Sequence, residues 1–156
     1  MRQILIYAVI AFITCGIVSC NKFNVPKDYA SFLYDNVQVK NRNIHIKKGT
    51  ENDIKTLTLT ISLKDVDNST NSLVITMSSP TRIENGTYYV GDVEHPQICN
   101  AEILYKNGSS ITSHLGYITY DTIDEGIQGG KFQFFFYNTE SDKLTYIESG
   151  NYIIYE

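Results

Sequence analysis

From residue 56 to residue 64 apolar and polar positions alternate without a break. Leu57, Leu59, Ile61 and Leu63 take one register, and Thr56, Thr58, Thr60, Ser62 and Lys64 take the other. Successive side chains of a strand point to opposite faces, so a period of two predicts a half-buried β-strand. Asp65 to Asn71 (DVDNSTN) is turn-forming by composition. Leu73, Ile75 and Met77 then resume the alternation, which predicts that the two strands pair as a hairpin. Val37 and Val39, followed by Ile44 and Ile46, suggest earlier strands. Asp28 to Asp35 has room for one helical turn but nothing to cap or sustain a helix.

The second half reads in the same way. Pro80 to Gly86 (PTRIENG) breaks the pattern, and Thr87-Tyr88-Tyr89-Val90 opens a new strand. Ile98 to Lys106 and Ser110 to Asp121 flank Lys106-Asn107-Gly108-Ser109, and Asn-Gly between two strands is a strong hairpin signal because both residues tolerate positive φ. Asp124 to Gly130 (DEGIQGG) is expected to turn, and Lys131 to Tyr137 (KFQFFFY) to form the next strand. Phe132, Phe134 and Phe136 share one face, the core. Gln133, Phe135 and Tyr137 share the other, and Phe135 with Tyr137 is the candidate binding patch. Thr139 to Lys143 (TESDK) leads into a last pair, Leu144 to Glu148 and Tyr152 to Tyr155, with Gly150 between them. Short strands with turn signals every 8 to 12 residues or so predict an all-β fold: an antiparallel β-sandwich or barrel-like closure of about eight or nine strands.

The front of the chain departs from this pattern. Arg2 precedes Ile4 to Thr14 (ILIYAVIAFIT), which has no charge, and Cys15-Gly16 leads into Ile17-Val18-Ser19-Cys20. A positive start, a short apolar run and a small residue before the break mark an export signal. The run is shorter than the roughly 20 residues of a membrane-spanning helix. Ile17-Val18-Ser19-Cys20 resembles the lipobox of bacterial lipoproteins. That resemblance implies a signal peptide over residues 1–19, cleavage before Cys20, and a diacylglyceryl group on its thiol, with a further acyl chain on its amine. Cys15 is the rival cleavage point, with a poorer small residue before it. Two or more acyl chains suffice for stable anchoring. Residues 20–30 then read as a lipidated tether and 31–156 as the folded domain.

Charge narrows the partners. Of 13 Lys and Arg only Arg2 is lost on cleavage, leaving 12 against 17 acidic residues, a net charge of −5. An acidic domain is not suited to nucleic acid, whose phosphates demand a basic face. Cys99 is the one thiol left once Cys20 is acylated, so the domain is expected to hold together by packing, with Cys99 as a small buried residue. Eleven of the twelve tyrosines follow the signal, and there is no tryptophan. Sheets favour aromatics, which accounts for many of them; an exposed subset would form a platform for a glycan or a protein.

Gly86-Thr87-Tyr88-Tyr89, Gly116-Tyr117-Ile118-Thr119-Tyr120-Asp121, Ile127-Gln128-Gly129-Gly130-Lys131-Phe132-Gln133-Phe134 and Glu148-Ser149-Gly150-Asn151-Tyr152 follow one another in order. This succession resembles the ending of small uncharacterised β-sandwich lipoproteins common in Bacteroidota, over about residues 83–156. The resemblance implies fold and compartment and carries no activity, because patterns of glycine and aromatics specify turns and cores.

Little in the chain suggests chemistry. Asp92, Glu94, His95 and Cys99 are metal-ligand types, but their spacing fits no known site and Pro96 suits a solvated loop. His45 and His114 occupy strand positions with polar neighbours. Asp124-Glu125 is a carboxylate pair in a Gly-flanked turn, where acids are usually just solvated. No nucleophile elbow, P-loop or zinc-protease motif occurs. Asn68, Asn85 and Asn107 satisfy the N-x-[ST] rule but read as turn residues. Asp121-Thr122-Ile123 resembles the D-[ST]-aliphatic site at which Bacteroidota glycosylate exported proteins, making Thr122 a candidate O-glycosylation site. The sequence thus leads to a non-enzymatic envelope lipoprotein without cofactor, a binding or structural accessory of another envelope protein. Its alternatives are a glycan-binding module using surface tyrosines, or an immunity or inhibitor lipoprotein. Asn21-Lys22-Phe23-Asn24 lacks the acidic residues in which the surface-exported lipoproteins of Bacteroidota resemble one another, and that departure implies an outer-membrane position facing the periplasm.

Overall fold

A computed structural model describes residues 27–42, 44–63, 71–91 and 97–155. Ten strands make up the described chain: β1 Tyr29–Tyr34, β2 Val37–Asn41, β3 Ile44–Glu51, β4 Ile54–Ser62, β5 Ser72–Ser79, β6 Gly86–Val90, β7 Ile98–Leu104, β8 Ser110–Asp124, β9 Ile127–Asn138 and β10 Lys143–Tyr155. They form one sheet in the order β2-β1-β10-β9-β8-β6-β7-β5-β4-β3, curled like a half-barrel around its core. The all-β expectation holds, with ten strands in place of eight or nine. The stretch after Asp28 is the strand β1 and not a helical turn, and the sheet begins at Tyr29 with Ala30 fully buried.

Tight turns set the registers. Asp35 and Asn36 join β1 to β2, and Asn52 and Asp53 join β3 to β4, all four with positive φ between +47° and +68°. Two successive left-handed residues match the twist of the flanking strands, and Asn and Asp tolerate that region best after glycine. The Asn107-Gly108 hairpin forms, but only Gly108 has positive φ (+85°). The Gly108 amide donates to Tyr105 O and the Tyr105 amide to Ser109 O, each at 2.9 Å, which is a three-residue loop closed by a glycine bulge. The expected turn over Asp124 to Gly130 is much shorter: β9 already starts at Ile127, and Gly129 and Gly130 lie within it.

One pairing is not antiparallel. β8 pairs with β7 at one end (Leu104 opposite Ser110) and with β6 at the other (Gly86 opposite Tyr120). β6 fills the gap where β7 and β8 diverge, and there it runs parallel to β7, with Val90 opposite Cys99. Alternation within a strand does not reveal such a pairing, since it reports faces and not neighbours.

The core draws on every strand, with Phe32, Leu59, Ile75, Tyr88, Ile118, Phe132, Phe134, Phe136 and Ile147 all fully or nearly fully buried. Phe132, Phe134 and Phe136 form the expected inward row. Three tyrosines are also core residues. The Tyr88 hydroxyl accepts from the Glu84 amide and donates to the Glu84 carbonyl, both at 2.9 Å, tying the segment before β6 to the core as a tyrosine corner does. Tyr152 donates to Thr119 O at 2.8 Å, and Tyr120 is buried beside it.

Candidate binding surface

Because Phe132, Phe134 and Phe136 point inward, the intervening residues of β9 must face out. Phe135 is half-buried there and Tyr137 exposed. Register then decides what lies beside them. Phe135 stands between Leu115 of β8 and Tyr146 of β10, while Tyr137 stands opposite Leu144. Leu115 is 63 % exposed, Leu144 51 %, and Tyr137 and Tyr146 38 % each, so the five side chains form one apolar surface. Residues directly opposite across an antiparallel pair have close β-carbons and interact. Phe135 and Tyr146 meet edge-to-face, with ring centroids 5.4 Å apart and planes at 87°. That geometry sets the positive edge of one ring against the negative face of the other.

A bulge between Ser113 and Leu115 turns His114 toward the same end, where its ring lies 6.4 Å from Tyr137. The rim is polar. The Tyr137 hydroxyl donates to Asp142 Oδ1 at 2.5 Å, and this bond raises its pKa above the ordinary tyrosine value. Asp35 accepts from the Tyr146 amide at 2.9 Å and pairs with Lys143 Nζ at 3.2 Å, fixing the β1–β2 turn against β10. Beside Tyr137 a groove of about 320 Å³ is bordered by Ser109, Thr112, His114 and Glu140.

The two residues chosen from sequence therefore lie together on one surface, and the structure adds Leu115, Leu144 and Tyr146. Leu144 and Tyr146 could have been found by counting outward from the Thr139–Lys143 turn, since pairing Tyr137 with Leu144 brings Tyr146 opposite Phe135. Leu115 could not, because the bulge shifts β8 against β9.

The other candidates stand apart. Thr122 is exposed near the end of β8, its hydroxyl and amide both donating to Asn85 Oδ1 at 3.0 and 3.1 Å. Asn85 thus holds the segment before β6 to β8. Asp124 and Glu125 are exposed, and Asp124 Oδ1 accepts the Glu125 amide at 2.8 Å, a local turn bond. His45 is exposed on edge strand β3. Cys20, Asp92, Glu94 and His95 lie outside the described residues. Cys99 is buried, its Sγ donating to Tyr88 O at 3.2 Å, and burial pushes its thiol pKa up to about 12, so the nucleophilic thiolate is suppressed. Among the described residues no three His, Cys, Asp or Glu side chains gather as metal ligands.

Comparison with protein-family models, with curated proteins and with solved structures gives no match.

Proposed function

We propose that this is a lipid-anchored envelope protein without catalytic function, held through Cys20 on the outer membrane and facing the periplasm, whose domain binds another envelope protein. The observation that carries the binding reading is the continuous surface of Leu115, Phe135, Tyr137, Leu144 and Tyr146 on β8, β9 and β10. Covering such groups recovers roughly 25 cal/mol for each Å² of apolar area taken from water. Rigid aromatics bordered by charged residues such as Asp35, Asp142 and Lys143 also match the anatomy of a protein interface, an aromatic centre within a polar rim.

The test is photo-crosslinking in living cells from a reactive amino acid placed at Leu144, with one at Lys47, on the outside of edge strand β3, as the control. A discrete crosslinked protein from Leu144 and not from Lys47, reduced severalfold by Tyr146→Ser, is the expected result. Equal crosslinking from both positions would overturn the reading. The groove beside Tyr137, with its hydroxyls, His114 and Glu140, favours a glycan as the second reading. Retention on a polysaccharide column that is lost with Tyr137→Ala would replace the protein partner with that ligand.

A further inference from the structure

In the groove beside Tyr137 several protons are already committed. Ser109 Oγ donates to Asn107 Oδ1 at 2.7 Å. The Ser109 amide also bonds to that oxygen, at 3.0 Å, which marks it as the accepting side of the Asn107 amide and fixes the hydroxyl as donor. The Tyr137 hydroxyl likewise gives its proton to Asp142 Oδ1, a carboxylate oxygen that only accepts. Glu140 borders the same groove with a second acceptor-only carboxylate. The Glu140 and Ser141 amides bond to Asn138 Oδ1 at 2.9 and 3.2 Å, so the turn that presents this carboxylate is held in shape. Ser109, Tyr137 and Glu140 thus offer lone pairs or a ring face, and no proton.

The walls add aromatic faces. Tyr105, His114 and Tyr137 line the groove, and the His114 and Tyr137 rings lie 6.4 Å apart with planes at 50°. Donation from the Tyr137 hydroxyl to a carboxylate pushes electron density into its ring, and the negative face of such a ring attracts a cation. Among the described residues no lysine or arginine borders the groove, and Glu140 carries no ion pair. Lys143, on β10, is paired with Asp35 at 3.2 Å.

We infer that this groove receives an arginine side chain of the protein partner, its guanidinium stacked on Tyr137 and its N–H groups directed at the Glu140 carboxylate and Ser109 Oγ. The inference rests on the binding reading proposed above and names the chemistry of that partner: a permanent cation next to an apolar residue. Guanidinium fits because it has only donors, stays charged, and has a flat face that stacks on aromatic rings. A sugar hydroxyl brings acceptors as well as a donor to groups that have no proton to give. The groove, at about 320 Å³, has room for such a side chain. Tyr137 belongs both to the groove and to the apolar surface, with Leu144 opposite it. An arginine bound here therefore leaves its neighbours in the partner chain over that surface. Arginine and aromatic anchors recur together at the centres of protein interfaces, and a chain of net charge −4 suits a basic partner.

NMR titration of the isotope-labelled full-length chain with the peptide acetyl-Leu-Arg-Leu-amide tests it, with the same peptide carrying citrulline as the comparison. Citrulline keeps the shape of arginine without its charge. Saturable shifts of the Ser109, His114 and Glu140 amides are expected with the arginine peptide, and binding of the citrulline peptide weaker by roughly fivefold or more. Glu140→Gln and Tyr137→Leu should each weaken arginine binding by a similar factor, and Asp124→Asn, an exposed acid at the far end of β8, should leave it unchanged. No saturable shift, citrulline held as tightly as arginine, or binding unaffected by Glu140→Gln would overturn the proposal. In cells, Glu140→Gln should also lower the crosslink from Leu144 severalfold. A Leu144 crosslink that persists undiminished in Glu140→Gln would reject the arginine site and keep the apolar surface. Peptide binding without any Leu144 crosslink would reject the protein-partner reading, and with it the assignment of this arginine to a partner.

Discussion

The hydroxyl of Tyr152 reaches across β9 to donate to the carbonyl oxygen of Thr119 on β8, 2.8 Å away. Tyr152 stands opposite Gly130, where any β-carbon would collide with that same oxygen. The Lys131 amide bonds to Thr119 Oγ1 at 2.9 Å at the same crossing. Gly130 therefore lets two strands come close while a buried tyrosine ties the third to them. Tyr152→Phe is expected to lower stability by about 1–2 kcal/mol, since it removes the hydroxyl that bonds a partly buried carbonyl. Gly130→Ala should cost roughly 2–3 kcal/mol through overpacking. Urea denaturation followed by circular dichroism measures both; an unchanged midpoint in Gly130→Ala would refute the close approach.

Cys99 and the core tyrosines link stability to alkaline pH. Burial pushes the Cys99 thiol up to about 12 and raises the Tyr152 and Tyr88 hydroxyls above their ordinary values. The unfolded chain gives up these protons first, so the folded state binds more of them as pH rises. The stability that depends on them is complete below about pH 9, the ordinary thiol value, and declines from there toward pH 12. Denaturation midpoints measured across pH 8 to 11, approximately, should fall, and less steeply in Cys99→Ala. Iodoacetamide should modify the Cys99 peptide in urea and spare it in the folded protein, as read by mass spectrometry.

The edge-to-face pair of Phe135 and Tyr146 should show as a coupling energy. A double-mutant cycle with Phe135→Leu and Tyr146→Leu is expected to give about 0.5–1.5 kcal/mol beyond the single changes. Additive single effects would mean that the rings share the surface without interacting.

Asn36, at φ +68°, tests the first hairpin. Asn36→Gly should be neutral or slightly stabilising, because glycine adopts this region freely. Asn36→Val should cost about 1–2 kcal/mol, since a β-branched side chain clashes there. Thermal melts of the two variants rank them, and equal melts would argue against the two-residue turn.

How much of this was legible in the sequence depended on which physical signal each element left behind. The hairpin of β4 and β5 and the phenylalanine row of β9 were readable because alternation alone states which face is buried. The β1–β2 hairpin was not, because its turn is only Asp35 and Asn36, whose suitability lies in backbone preference and not in a loop long enough to notice. Gly129 and Gly130 read as a turn by composition, whereas the structure uses Gly130 for close strand approach. Phe135 and Tyr137 could be chosen for the surface from their phase against Phe134 and Phe136. Leu115 needed the β8 bulge.

The proposed anchor is testable at one position. Cys20→Ala should leave the chain unlipidated and shift it from the membrane fraction to the soluble fraction, as read by fractionation and immunoblot. Cleavage and membrane association that both persist would reject Cys20 as the acylation point.

β1 and β10 lie side by side, with the Tyr155 amide bonded to Asp28 Oδ1 at 2.9 Å, so the described chain enters and leaves at the same end of β10. Asp28 lies eight residue steps from Cys20, a leash of at most about 29 Å when fully extended. Tyr146 is nine residues back along β10, roughly 30 Å from that entry point at the rise of a strand. With the acyl chains on Cys20 as proposed, the anchor joins the sheet at the end of β10 opposite Leu144 and Tyr146, so a partner can reach that surface without displacing the tether.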